Sequence, residues 1–197
     1  MRFFKDNSYD IVKLFINQIG IAIFSLMLYS TVSLIDSIED FTTIYVFISV
    51  FSMLFYFALL YTAAWDFGAK DKIRIDSGRA KATPMKGALM SVYANIPNFL
   101  LTGLAIIFKI LHFVGAGEGF HSAFALLNSF FRFIMSVYLG LIKGIFSGLD
   151  DEIGFFVQAI AFFVIPVLAI AVTQLGYFLG SKEKRIRDLF SPKTNDE

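Results

Sequence analysis

Apolar residues in this chain come in long blocks and do not alternate with polar ones at a period of two, a pattern that predicts membrane-crossing helices and argues against an outer-membrane barrel. Four blocks are clear, at about 11–35, 41–65, 87–114 and 153–179. Each exceeds the roughly 18 residues that mark a spanning helix. The junction DSIED follows the first block and GLDDE precedes the last, while DFGAKDKIRIDSGRAKATPMK, residues 66–86, separates the second from the third. Long helices joined by short loops predict an antiparallel all-α bundle, built as a single membrane domain over residues 1–197.

A fifth block, His121–Ser147 after GAGEG, has a different pattern. Its polar positions, His121, Asn128, Arg132, Ser136, Gly140, Lys143 and Ser147, fall on one helical stripe about 120° wide, which predicts an amphipathic helix. Fourteen strongly apolar residues favour insertion by about 4–8 kcal/mol in total, against about 2.5–3.5 for Arg132 at mid-depth with Asn128 and Lys143 adding to that cost, so spanning is marginal. Energy therefore leaves three placements: lying in the outer interface, dipping in as a re-entrant hairpin, or spanning.

Charge separates these. Arg2, Lys5 and Lys13 precede the first span; Lys70, Lys72, Arg74, Arg79, Lys81 and Lys86 lie in 66–86; Lys182, Lys184, Arg185, Arg187 and Lys193 lie in the tail, 180–197. Those are fourteen of the seventeen basic residues. They share one side only if the fifth block does not cross, and cytoplasmic flanks are the ones enriched in Lys and Arg. The expected fold is four transmembrane helices plus one interfacial or re-entrant amphipathic helix, with five transmembrane helices as the alternative. Both termini, loop 66–86 and the tail are expected in the cytoplasm. The apolar run Leu14–Ile35 is too long for a signal-peptide core and no A-x-A site follows it, so it is expected to stay as the first helix. Short loops and no organellar targeting signal point to a plasma membrane, expected to be a bacterial inner membrane.

Composition agrees and removes some chemistry. Charged residues make up 17% of the chain, against about 25% in soluble domains, and there are 25 phenylalanines. The chain has no cysteine, which rules out disulfides, thiolate nucleophiles and Cys-ligated metals. A net charge of +1 offers no field for nucleic acid. No HExxH, GxSxG, P-loop or GxGxxG motif occurs, and His112 and His121 have no further ligands at metal spacing. Neither an enzyme nor a cofactor or metal site is expected. The acidic run Asp150-Asp151-Glu152 reads as a solvated turn, and no acidic residue lies within the four blocks.

Two places carry candidate sites. The amphipathic block offers Arg132, Asn128 and Lys143 to a substrate or a lipid headgroup, since charges at membrane depth often mark sites. The third block contains Asn95-Ile96-Pro97-Asn98 on a stripe with Ser91, Thr102 and Lys109. Pro97 is expected to break that helix and free a carbonyl near Tyr93 that the asparagine amides can satisfy. Such a break either lines a substrate path or is a kink with asparagines bonding between helices. Inward stripes also occur as Gln18, Ala22, Ser25, Tyr29 and Ser33; as Tyr45, Ser49, Ser52 and Tyr56; and as Gln158, Ala169, Thr173, Gly176 and Gly180. The 66–86 segment suits the anionic face of a bilayer, or a cytosolic or membrane protein partner docking at Arg74 and Arg79. The functional expectation is a small transporter or channel component, or the membrane subunit of a transport complex, with a lipid-sensing scaffold or adaptor as the alternative. Because the chain lacks cysteine, single replacements report sidedness. Ser77→Cys and Ser191→Cys are expected to react with an impermeant thiol reagent from one side, and Ser37→Cys and Ser147→Cys from the other; labelling of Ser191→Cys from the Ser37 side would eliminate the even-crossing arrangement.

Overall fold

A computed structural model describes residues 2–34, 41–114, 118–145, 151–184 and 186. The DSIED turn, the start of GAGEG, Ser147, Asp150, Arg185 and most of the tail lie outside the described residues, as do the side chains of Arg2, His112, His121, Asp151, Glu152 and Gln158. Among the described residues the chain is helical and forms no strand: α1 Arg2–Asp6, α2 Ser8–Ser33, α3 Phe41–Asp76, α4 Lys86–Phe113, α5 Glu118–Ile134, α6 Ser136–Ile145 and α7 Asp151–Ser181.

Four helices, α2, α3, α4 and α7, are long and apolar enough to cross a membrane. Only 28–39% of their apolar windows is buried within the bundle. Large side chains such as Met27, Phe47, Leu54, Leu100, Ile160 and Val164 cover the outside, a coat that suits a multi-pass membrane protein.

Contacts fix the directions. Lys13 on α2 lies over the Phe67 ring of α3, and Tyr29 packs on Tyr45, so α2 and α3 are antiparallel. Gly176 and Gly180 of α7 face Tyr61 and Trp65 of α3, so these two run parallel. Gly87 of α4 faces Thr173 and Gln174, and Phe99 stacks on Phe163 at 5.9 Å, so α4 opposes α7. The start of α2, the α3–α4 connection and the end of α7 therefore share one end of the bundle, here the basic end, which carries Lys13, Lys70, Lys72, Arg74, Lys86 and Lys182. Lys109 lies toward the distal end, as does Lys143 over the Tyr45 ring, while Arg132 stands near the end of α5.

Three elements differ from the sequence expectation. The stretch expected as a loop at 66–86 begins as helix, because α3 continues to Asp76. Phe67, Gly68 and Asp71, spaced for one helical face, are buried there. The helix stops at Gly78, whose φ of 71° suits a residue without a Cβ. Gly78 N–H donates to Ile75 O and Arg79 N–H to Arg74 O, the paired bonds of a glycine C-cap. Second, Pro97 does not break α4, which runs unbroken from Lys86 to Phe113. One lost bond is tolerated in a long, well-packed helix. The asparagine amides go elsewhere than the Tyr93 carbonyl: Asn95 donates to Ser91 O at 2.8 Å and Asn98 to Asn95 Oδ1 at 2.8 Å.

Third, the amphipathic block is not one helix. It breaks at Met135 into α5 and α6, which meet at 100°. Phe124 lies beneath Lys109 near the distal end of α4, and the far end of α5 reaches Ile19 of α2. Ser136 Oγ then donates to Ala22 O at 2.9 Å, and α6 returns along α3, Gly140 against Tyr45 and Gly144 against Val46. Both arms thus open toward the distal end, and the tip reaches Ala22, about 17 Å along α2 from Ser33. The predicted polar stripe is divided by this turn: Ser136 and Gly140 are buried, Asn128 is half-buried and Arg132 is exposed. Small residues at 136 and 140 let α6 press onto neighbouring backbones and Gly144 admits the Val46 side chain, which a solvated polar face would not do.

Glycine sets those approaches. A Cβ at Gly140 would strike the Tyr45 carbonyl, one at Gly180 the Trp65 carbonyl, whereas one at Gly20 meets nothing within 4 Å. Gly140→Ala and Gly180→Ala should each cost about 1–3 kcal/mol, read as a lower melting temperature in detergent. Gly20→Ala should leave that temperature unchanged or raise it.

Candidate functional site

Two of the five predicted binding residues meet in one cleft between the hairpin and α2–α3. Arg132, near the end of α5, and Lys143, near the end of α6, border one cleft of about 390 Å³. Leu26 and Tyr29 of α2, Tyr45 of α3 and Leu139 of α6 line the rest. The volume is in the range of small-ligand pockets.

Its wall is held by hydrogen bonds. The Gly140 N–H donates to Tyr29 Oη at 3.2 Å, and that hydroxyl also bonds Ser49 Oγ at 2.5 Å. The Tyr29 ring meets Tyr45 edge-to-face, with centroids 5.2 Å apart. This network ties α2, α3 and α6 together and needs Gly140 for the close approach. Lys143 Nζ sits 5.8 Å from the Tyr45 ring centroid, a cation held over a π face. No carboxylate borders the cleft among the described residues. Two cations with no carboxylate beside them among the described residues, next to two phenol rings, make an anion-receptive surface.

Asn95, Asn98 and Asn128 are not part of it. Asn95 and Asn98 are buried with Ser91 and Thr102 in the polar seam of α4. Their side chains bond mainly within their own helix; Thr102 Oγ1, for instance, donates to Asn98 O at 2.8 Å. Thr173 reaches across from α7 to Ser91 Oγ at 3.4 Å. Asn98 Oδ1 and Ser52 Oγ are buried without a hydrogen-bond partner, which is costly for a packed interior. Pro97 is half-buried on this helix and interrupts nothing.

The basic end holds a cluster that reading 66–86 as a loop concealed. Asp71, buried on the extension of α3, accepts from Lys86 Nζ at 2.6 Å and from Tyr177 Oη at 2.9 Å. Arg74 stands 3.7 Å from its other oxygen. Lys86 opens α4, and the neighbouring Ala88 N–H is capped by Gln174 Oε1 at 2.9 Å, so one carboxylate joins α3, α4 and α7. The signal in sequence was Phe67-Gly68-x-x-Asp71, helical spacing that continues past the last apolar run. The two docking candidates are neighbours: Arg74 and Arg79 are joined through the Gly78 turn and both are exposed.

Comparison with known protein families, with characterised proteins and with solved structures finds no match to this chain. The site's own chemistry therefore carries the functional argument.

The two ends should respond differently to mutation. Asp71→Asn leaves the Lys86 ammonium buried without its partner, a loss of about 3–5 kcal/mol, whereas Asp71→Leu combined with Lys86→Leu should recover most of it. Arg132→Gln and Lys143→Gln, at exposed positions, should stay within about 0.5 kcal/mol of wild type. Thermal melts in detergent compare all four.

Proposed function

We propose that this is a non-enzymatic, multi-pass membrane protein of the plasma membrane, the membrane-embedded component of a transport assembly with an anion-receptive vestibule on its non-cytoplasmic side. In this reading α2, α3, α4 and α7 cross the bilayer, and the basic end, with both termini, faces the cytoplasm as Lys and Arg distribution favours. The block α5–α6 is then a re-entrant hairpin. Tyr45 and Trp65 on α3 stand about 30 Å apart, the thickness of a hydrocarbon core, with no charge between them.

The observation that carries the proposal is the joining of Arg132 and Lys143 across the hairpin in one cleft that no carboxylate lines among the described residues. Cations near membrane depth are costly and persist where a ligand or counter-charge meets them. A re-entrant backbone is tolerated only where protein or water covers it, and burial of Met135, Ser136, Val137 and Gly140 supplies that cover.

A second reading, a scaffold or adaptor that recruits partners or senses lipid, is favoured by a different observation. The seam at Ser91, Asn95, Asn98 and Thr102 is buried and largely bonded within its own helix, as in a closed bundle. Arg74 and Arg79 on the cytoplasmic turn suit a cytosolic partner in either reading.

Cysteine accessibility separates the readings. With Arg132→Cys in intact membranes, an anionic thiosulfonate should react from the non-cytoplasmic side several-fold faster than a cationic one, because Lys143 focuses anions there. Adding Lys143→Gln should remove the preference; equal rates with Lys143 in place, or labelling from the cytoplasm, would sink the vestibule. Transport further requires Asn95→Cys or Asn98→Cys to react in membranes holding the whole assembly. If both stay inert there, the scaffold reading replaces it.

A further inference from the structure

We propose that the distal cleft holds the phosphate of an anionic phospholipid, with an acyl chain of the same molecule running deeper along one face of α2. This rests on the preceding reading of the hairpin as membrane-embedded and names the ligand of that site. The Arg132 guanidinium offers paired N–H donors that match two phosphate oxygens, and the Lys143 ammonium adds a point charge. Tyr29 and Tyr45 surround them with the amphipathic rings found at headgroup depth.

A second cleft, of about 370 Å³, is lined by Ile19, Phe130, Phe133 and Ile134, with Ser129 its one polar side chain. Ile19 and Leu26, one from each cleft, are two helical turns apart on the same face of α2, about 10 Å along its axis. Ile19 is the one nearer the basic end. Along α2 the cationic cleft is therefore the more distal and the apolar one extends deeper, as a headgroup and its acyl chain would require, while on α5 the two adjoin at Arg132 and Phe133. A soluble phosphate would use the first cleft and leave the second without an occupant.

The test is native mass spectrometry of the full chain in detergent, titrated with phosphatidylglycerol or phosphatidylcholine of equal chain length. Wild type should retain the anionic lipid about tenfold better than the zwitterionic one, and Arg132→Gln with Lys143→Gln should erase that preference. Phe130→Ser should weaken retention of both lipids, Lys109→Gln should change nothing, and millimolar glycerol 3-phosphate should not displace bound lipid. Displacement by glycerol 3-phosphate together with an inert Phe130→Ser would overturn the lipid proposal and leave the anion vestibule standing. An equal loss from Lys109→Gln would reduce the effect to general surface charge and overturn it too. If the double variant matches wild type while the thiosulfonate preference at Arg132→Cys persists, the lipid assignment alone falls; if both fail, the vestibule falls with it.

Discussion

The bundle depends on how closely other backbones can approach α3. In a lipid environment apolar side chains gain little by leaving the hydrocarbon, so helices associate through tight packing and a few hydrogen bonds. The glycines of α7 meet Tyr61 and Trp65 of α3 near the basic end, and those of α6 meet Tyr45 and Val46 near the distal end. Gly176, Gly180 and Gly140 place one backbone against another where any side chain would intervene, and Gly144 leaves room for the Val46 side chain. α3 is thus a post with a partner seated at each end, and the short α6 can hold its place because its glycines bring it to the post.

Polar groups then give the two ends different characters. At the basic end a single carboxylate, Asp71, is held by Lys86 and Tyr177 on one oxygen, with Arg74 near the other, and locks three helices. A buried ion pair of this kind adds little net stability over an apolar core, yet removing one partner is severe. At the distal end the hydrogen bonds run through neutral groups, Tyr29, Ser49 and the Gly140 amide. The basic end is suited to holding helices in register. The cleft at the other end, bordered by cations and by no carboxylate among the described residues, is suited to meeting something else.

The candidate site was partly legible in the chain. Arg132 and Lys143 stand out because a charge in an apolar block is conspicuous whatever the fold. Asn95 and Asn98 were equally conspicuous, but polar residues on an inward face serve packing as readily as binding, and their bonds stay inside α4. Tyr29 and Tyr45 were visible only as members of stripes; nothing local says that one hydroxyl will anchor the Gly140 amide. Asp71 was hidden for the opposite reason. It sits where the apolar run has already ended, and its helix continues because Tyr177 and Lys86 arrive from distant parts of the chain.

The number of the four long helices and their apolar cores, and the gathering of basic residues into three segments, follow from the sequence alone, whereas the continuation of α3 to Asp76 did not. Each is a sum over a local window, and such sums survive ignorance of the neighbours. The fate of the fifth block did not follow, because its apolar content and its charges nearly balance in energy and three placements remained open. Tertiary structure decided its shape: Ser136 found the Ala22 carbonyl, Gly140 and Gly144 found α3, and the helix turned at Met135 to satisfy both. A glycine is only an opportunity for close contact until another backbone stands beside it, and which backbone that is cannot be read from the glycine's own surroundings in sequence.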